Sequence, residues 1–187
     1  YRRAHHRIFG GVDRYYAPFI FTNPKGKISK KDLLEIAPEY NEGCRVVPQL
    51  LSNCAEDFIA TAHTLKEMGY DEVNLNLGCP SSTVASKGRG SGFLGEKEAL
   101  KAFLADIFDK TDMKISLKTR IGLNRADEFD DILDIYQAFP VEMLIVHPRI
   151  RMDYYSGKPD MEAFEKASAR MPFPVCYNGD IFTAAAY

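Results

Sequence analysis

Six short runs of apolar residues recur along the chain, and longer stretches in which polar residues dominate separate them. The runs cover residues 12–20, 45–51, 72–77, 114–118, 143–147 and 174–177. They are too short for helices and are rich in valine, isoleucine, leucine and tyrosine, which is typical of buried parallel strands. The pattern therefore predicts six strands.

Several of the intervening stretches carry apolar residues at helical spacing, which predicts helices with one face toward a sheet. The clearest stripes are Ala55, Phe58, Ile59, Ala62 and Leu65, then Leu100, Phe103, Leu104 and Ile107, and then Phe129, Ile132, Leu133 and Tyr136. Asn53 and Glu56 have the spacing of a capping box before the first stripe, and Gly69 can end that helix. Residues 1–9 predict the end of an earlier helix, and residues 182–187 predict the start of a later one.

Strands and helices alternate, which predicts right-handed βαβ units and an α/β fold with a parallel sheet. The strands start at fairly even steps without a glycine-rich dinucleotide loop, which favours a (β/α)8 TIM barrel over a doubly wound sheet. Six strands are fewer than a barrel contains, so we expect about strands two to seven with their helices. Residues 1–187 would then form one partial catalytic domain of a longer protein.

Composition and charge narrow the classes of function. The chain has 187 residues, 45% of them hydrophobic, and its formal net charge is −2, so any RNA contact must come from local basic clusters. Its four cysteines include no CxxC pair, which predicts free thiols in a reducing cytoplasm rather than a metal site or a disulfide scaffold. No apolar run is long enough to span a membrane. A solvated turn and a helix start are expected at Lys25, Lys27, Lys30 and Lys31.

Cys79 is the leading candidate for chemistry. It lies just after the predicted strand 72–77, between Gly78 and Pro80. Glycine permits an unusual turn and proline stops the strand, so we expect the thiol at the carboxyl end of the sheet. A thiol with a pKa of about 8.5 is mostly protonated at neutral pH and can act as a general acid. Taken alone, a cysteine at a strand end is more often a small buried apolar residue.

The residues around Cys79 read VNLNLGCPSSTVASKGRGSGFL over positions 73–94. This stretch resembles the signature of the tRNA-dihydrouridine synthase family in its Asn-x-Gly-Cys-Pro core and in the later Lys-Gly-x-Gly-Ser-Gly. Further similar segments follow in family order, namely APFI at 17–20, PQL at 48–50, GYD at 69–71, KTRIG at 118–122, HPR at 147–149 and NGDI at 178–181. The resemblance covers essentially the whole chain.

The resemblance implies a redox reaction on tRNA. The family reduces the C5–C6 double bond of uridine with FMN that NADPH has reduced. By resemblance, the flavin gives a hydride to C6 and Cys79 gives a proton to C5 from the other face. Such chemistry needs a base splayed out of its stack.

The resemblance also implies roles for polar residues near the predicted strand ends. Flavin contacts are expected from Gln49, Lys118 and His147, and Lys118 would stabilise the reduced flavin anion. The FMN phosphate is expected near Asn178, Gly179 and Asp180. Uracil is expected at Asn76, and tRNA phosphates or substrate at Lys87, Arg89, Arg120 and Arg149. Without the resemblance, these residues have ordinary interpretations as a surface glutamine, a hydrogen-bonded core histidine, a turn and solvated charges.

Some family features have no counterpart in the chain. The family opens with an Ala-Pro-Met-type strand, and after Asn-Gly-Asp it carries a Gly-Arg loop for the FMN phosphate and a helical domain that binds tRNA. Two other functions stay open. One is an FMN-barrel oxidoreductase acting on a free pyrimidine, similar to dihydroorotate dehydrogenase, and the other is a non-catalytic RNA-binding module.

Overall fold

The computed structural model describes residues 1–183. Its helices are α1 (Arg2–Phe9), α2 (Lys30–Ile36), α3 (Ala55–Glu67), α4 (Ser82–Ala85), α5 (Lys97–Lys110), α6 (Phe129–Tyr136) and α7 (Met161–Arg170). Its strands are β1 (Tyr15–Tyr16), β2 (Ile20–Phe21), β3 (Val46–Val47), β4 (Gln49–Leu51), β5 (Glu72–Leu77), β6 (Lys114–Arg120), β7 (Leu144–His147) and β8 (Val175–Tyr177).

One parallel sheet organises the chain. Its strand order is β2-β4-β5-β6-β7-β8, and β1 pairs with β3 in a separate parallel pair. From β4 onward each strand lies beside the next one in sequence, which is the arrangement of consecutive βα units in part of a TIM barrel. The parallel α/β fold predicted from the sequence is therefore confirmed.

Prolines divide the first two predicted strands. The run 12–20 forms β1 and β2 with Pro18 between them, and the run 45–51 forms β3 and β4 on either side of Pro48. Proline has no N–H to donate to a ladder, so the regular pairing stops at each one. Single hydrogen bonds continue across the breaks, from the Ala17 N–H to the Val47 carbonyl at 3.0 Å and from the Asn74 N–H to the Pro48 carbonyl at 2.9 Å.

The apolar core lies between the outer face of the sheet and the helices. Alternate residues of β5, namely Val73, Leu75 and Leu77, are fully buried there. The predicted helical stripes face them, and Phe103 of α5 makes edge-on contacts with Phe58 of α3 at 5.9 Å between ring centroids. These stripes form the core because helices on a parallel sheet bury one face each.

The predicted capping box before α3 is wrong. Cys54 is the N-cap residue, and no side chain caps the helix. The Asn53 side chain instead turns toward another loop, where its Nδ2 donates to the Lys87 carbonyl at 2.9 Å and its Oδ1 accepts from Arg89 Nε at 3.0 Å. Hydrogen bonds to two residues more than thirty positions away, Lys87 and Arg89, thus replace the local cap.

The inner face of the sheet is polar near its centre. The register aligns Asn74 with Ser116 and Asn76 with Lys118 on neighbouring strands β5 and β6. Because side chains alternate across a strand, these residues share the face opposite the helices. Barrel interiors are usually filled by branched apolar side chains. The polar side chains on this face therefore indicate a ligand-binding surface.

The amino end of the sheet carries an ion-pair cluster. Glu72 is 1% exposed and accepts hydrogen bonds from Arg14 Nη1, at 3.1 and 3.0 Å, and from Arg45 Nη2 at 3.1 Å. A buried carboxylate needs such partners. In barrels this end generally serves stability, whereas the carboxyl end carries the chemistry.

The remaining helix predictions have mixed outcomes. The early helix is α1, and the basic turn leads into α2, where Ser29 Oγ caps the helix by accepting from the Asp32 N–H at 3.1 Å. In the predicted helix 182–187, Phe182 and Thr183 are irregular, and the rest lies outside the described residues. Within residues 1–183, no helix has the length and apolar character needed to cross a membrane.

Candidate active site

A cavity of about 400 Å³ opens at the carboxyl ends of the strands. This volume falls in the range of small-molecule sites. Nine of the residues singled out in the sequence line it, namely Gln49, Asn76, Cys79, Lys118, Arg120, His147, Asn178, Gly179 and Asp180. The strands that carry them are neighbours in one sheet, so side chains far apart in sequence meet here.

Cys79 follows β5 in a turn that the side chain of Asn76 shapes. The Asn76 Oδ1 accepts from the backbone N–H groups of Gly78 at 3.1 Å and Cys79 at 2.9 Å. The Gly78 carbonyl in turn accepts from Arg120 Nε at 3.0 Å. The turn is therefore held from both sides, and it places the half-buried thiol in the cavity wall.

The Gly/Ser-rich loop supports Cys79 from behind. The Cys79 carbonyl accepts from the Ser91 N–H at 3.1 Å and from Ser91 Oγ at 2.7 Å. Gly90 has a φ of 56°, and a Cβ placed on it would lie 2.9 Å from the Cys79 carbonyl oxygen. The Lys-Gly-x-Gly-Ser-Gly pattern thus has a structural reason, because this close approach leaves no room for a side chain.

We expect Gly90→Ala to lower the free energy of unfolding by about 2–3 kcal/mol, because the change combines an unfavourable positive φ with crowding against Cys79. Urea denaturation measures the effect. Gly69→Ala is the matched control, since Gly69 also has a positive φ, 95°, but open space around its Cβ position. We expect a loss of only about 1 kcal/mol there. Equal losses in the two variants would contradict the crowding.

A chain of side-chain amides orients Gln49. Its Oε1 accepts from Asn76 Nδ2 at 2.8 Å, and its Nε2 donates to Asn74 Oδ1 at 2.8 Å. Asn74 Nδ2 then donates to Ser116 Oγ at 3.0 Å. Because each amide fixes the next, Gln49 presents a defined donor and acceptor pattern to the cavity.

Lys118 projects from β6 into the cavity and is half-buried. Among residues 1–183, no carboxylate lies within ion-pairing distance of its ammonium group. Burial, followed by the charge of Arg120, lowers the pKa of Lys118 to about 8. A partly buried cation without an anionic partner is costly, so this position favours binding of a negatively charged group.

His147 ends β7 and accepts a hydrogen bond from an arginine. Its Nε2 lies 3.1 Å from Arg149 Nη1. Burial, then the charges of Arg120, Lys118 and Arg149, lower the pKa of His147 to about 4. The imidazole is therefore neutral at pH 7. Because a guanidinium can only donate, the ring proton must lie on Nδ1.

Two of the three arginines that were expected at tRNA phosphates or substrate, Arg120 and Arg149, are engaged within the protein. Arg120 is 1% exposed, and its guanidinium also donates to the carbonyls of Ile150 at 2.9 Å and Tyr154 at 2.6 Å. Arg149 is 2% exposed and does not line the cavity. Both hold the segment after β7 in place, so in this structure neither presents a free guanidinium to a tRNA phosphate.

The other residues that were assigned a role from the sequence differ in whether they reach the cavity and in whether they are already hydrogen-bonded. Lys87 is exposed and lies outside the cavity lining, and Arg89 is bound to Asn53. The backbone N–H of Asn178 donates to the Val146 carbonyl at 2.9 Å. This N–H therefore already takes part in the pairing of β8 with β7. Asp180 faces the cavity but pairs with Arg149 at 2.6 Å.

Sequence reasoning missed two aromatic residues of the cavity wall, Phe19 and Tyr155. The Tyr155 ring is 73% exposed and lies 5.4 Å from the Arg120 guanidinium and 6.0 Å from the His147 ring. Phe19 belongs to the APFI segment, whose similarity to the family could have indicated a place in the site. Tyr155 lies in an irregular segment without periodicity, and only the fold brings it to the cavity.

Comparisons with known proteins identify the family of this chain. The family model described as "Dihydrouridine synthase (Dus)" matches residues 2–187. The chain is 28% identical over 156 residues to "Probable tRNA-dihydrouridine synthase 1" of Synechocystis sp., covering 82% of this chain and 43% of that protein. It is 25% identical over 161 residues to "tRNA-dihydrouridine synthase B" of Escherichia coli (strain K12), covering 86% of this chain and 50% of that protein.

A third relative, "tRNA-dihydrouridine synthase B" of Pasteurella multocida, is 24% identical over 176 residues, covering 93% of this chain and 52% of that protein. The chain thus spans about half the length of the curated relatives that it matches. The family model, however, covers nearly every residue of the chain. The chain belongs to the dihydrouridine synthase (Dus) family.

Proposed function

We propose that this chain carries the catalytic part of an enzyme that reduces uridine in tRNA to 5,6-dihydrouridine. The observation that carries the proposal is the presence of Cys79, Lys118 and His147 around one cavity at the carboxyl ends of parallel strands. The names of the relatives point to the same substrate. A cytoplasmic location and NADPH as the reductant belong to the same proposal.

The donors of the cavity suit FMN. Its surroundings contain three cations, Lys118, Arg120 and Arg149, and one carboxylate, Asp180, so the local field favours an anion. Gln49 supplies an oriented amide for a ring edge, and His147 supplies a neutral Nδ1–H. When bound and reduced, FMN supplies a hydride, and a nearby cation stabilises the anionic reduced ring.

The residues of the chain supply the proton and hold the base. Cys79 carries a proton on Sγ, delivers it to C5 of the uracil and is left as a thiolate, which water then reprotonates. His147 cannot take this role at neutral pH because its imidazole is already deprotonated. Asn76 uses its Oδ1 for the turn and one donor for Gln49, which leaves one N–H for a uracil oxygen.

Reconstitution tests this proposal. We expect the purified chain, incubated with FMN, to retain flavin absorbance after gel filtration. With NADPH and unmodified tRNA, it should add two mass units to a uridine nucleoside recovered from the tRNA. Turnover of free uracil or dihydroorotate, without any change in tRNA, would instead support an enzyme of free pyrimidines. Binding of tRNA without flavin would support the non-catalytic alternative.

A further inference from the structure

We propose that Arg149, anchored by Asp180, is a positioning residue that holds His147 as the neutral Nδ1–H tautomer. Arg149 was expected from sequence to contact substrate, and Asp180 to lie at the FMN phosphate. The contacts of the two side chains point to a different use, in which they act on the cavity through His147.

All five N–H donors of Arg149 have acceptors. Nε donates to the Ser156 carbonyl at 3.1 Å, and Nη2 donates to the Gly157 carbonyl at 2.6 Å and to Asp180 Oδ2 at 2.6 Å. Nη1 donates to Asp180 Oδ1 at 3.0 Å and to His147 Nε2 at 3.1 Å. The guanidinium therefore has a single orientation, and one of its fixed N–H groups is directed at the imidazole.

The chemistry of arginine makes this contact one-directional. A guanidinium stays protonated and has no acceptor, so His147 Nε2 must accept and cannot carry a proton. Protonation of Nε2 would set two donors against each other. The imidazole is thus left with Nδ1–H as its donor.

Asp180 acts on the imidazole through Arg149. Its carboxylate binds the guanidinium in a bidentate manner and compensates a charge that would otherwise be buried without an anion. A carboxylate that bound the imidazole directly would accept its N–H and raise its basicity. With the arginine between them, the ring faces a donor instead and becomes less basic.

The charges around His147 act in the same direction. Arg120, Lys118 and Arg149 disfavour the imidazolium, and Asp180 favours it weakly. The Tyr155 ring lies 6.0 Å from the imidazole. His147 consequently offers one N–H donor, on Nδ1, throughout the neutral pH range and cannot serve as an acid or a base. That the partner of this donor is FMN or uracil rests on the proposed function, whereas the tautomer does not.

Nitrogen-15 NMR of the histidine-labelled, flavin-free chain tests the inference. The chain has four histidines, and a His147→Gln variant assigns the resonance. We expect the wild-type ring to be protonated on Nδ1 and to titrate below about pH 5. In Arg149→Gln, the pKa should rise by at least one unit, and the Nε2–H tautomer should become populated.

A control variant separates a direct effect of Arg149 on the His147 tautomer from a general loosening of the segment after β7. Asp153→Ala loosens that segment, because Asp153 Oδ2 accepts from the Ile150 N–H at 3.1 Å, but it leaves all five acceptors of Arg149 in place. His147 should titrate there as in the wild type. If Arg149→Gln does not fold, Asp180→Asn replaces it, and we expect partial Nε2–H population.

An unchanged tautomer in the folded Arg149 or Asp180 variant, or an equal change in Asp153→Ala, would overturn the inference. Because these measurements need neither flavin nor tRNA, they stay informative if the chain fails to make dihydrouridine. Conversely, dihydrouridine formation by a chain whose His147 is Nε2-protonated would support the proposed function and refute the positioning role.

Discussion

Replacement of Cys79 by alanine is expected to lower the rate of dihydrouridine formation by about 10²- to 10⁴-fold, the usual contribution of a general acid. The change removes the one proton donor that the proposed reaction uses at C5. The backbone that positions Cys79 is held by Asn76 and Ser91 rather than by the thiol, so flavin binding should not change. Single-turnover reduction of tRNA, with flavin absorbance as the binding measure, checks both expectations.

Two variants sharpen this test. Cys79→Ser keeps the size of the side chain but offers a far weaker acid, so we expect a loss close to that of alanine. Cys44→Ala is the matched control, because Cys44 is also half-buried yet lies outside the cavity. Its rate should equal the wild type. Full activity of Cys79→Ala would refute the assignment of the proton donor.

Lys118→Met is expected to weaken FMN binding by about 10- to 100-fold, the value of a hydrogen bond to a charged group. The loss should be larger for the reduced flavin, because its anionic ring would pair with an ammonium that has no carboxylate partner among residues 1–183. Fluorescence titration of oxidised FMN and the reduction potential of the bound flavin measure the two effects. Unchanged affinity in both redox states would contradict the assignment.

The same substitution should stabilise the flavin-free chain, by on the order of 1–3 kcal/mol at pH 7. Burial lowers the pKa of Lys118 to about 8 from its ordinary 10.5, so the folded state bears the cost of the charged form at neutral pH. Between about pH 8 and 10.5 the unfolded chain binds more protons, so wild-type stability should rise with pH and approach that of the variant. Urea denaturation at pH 7 and pH 10 measures this difference.

Lys114→Met provides the control on the same strand. Lys114 is exposed at the opposite end of β6 and lies 3.7 Å from Glu142, a surface ion pair of little expected value. Its removal should change the free energy of unfolding by less than about 0.5 kcal/mol and leave FMN affinity intact. A gain in stability equal to that of Lys118→Met would mean that added hydrophobicity, not the removed charge, is the cause.

Local sequence pattern was sufficient for most of the fold. The runs 72–77, 143–147 and 174–177 match β5, β7 and β8 to within one residue at each end. The pattern worked because strand and helix impose different apolar periods on consecutive residues. It failed at Pro18 and Pro48, where apolar character continues but the ladder cannot.

The candidate site was only partly predictable. Cys79, Gln49 and Lys118 could be placed at strand ends from their positions after apolar runs, and they meet in one cavity. Arg149 also follows such a run, yet it turns away from the cavity and binds Asp180. A run predicts where a strand ends, but it does not predict which way an irregular segment beyond it directs a side chain.

The sequence by itself determined the parallel α/β fold, the position of Cys79 after a buried strand and the family. Each of these depends on consecutive residues. Only the tertiary structure decided the partners of the polar side chains, such as Gln49 with Asn76 and Arg149 with Asp180, which are 27 and 31 positions apart. The physical reason is that the strand register and the paths of the loops decide which donor meets which acceptor. The spacing of apolar residues along the chain does not specify either of them.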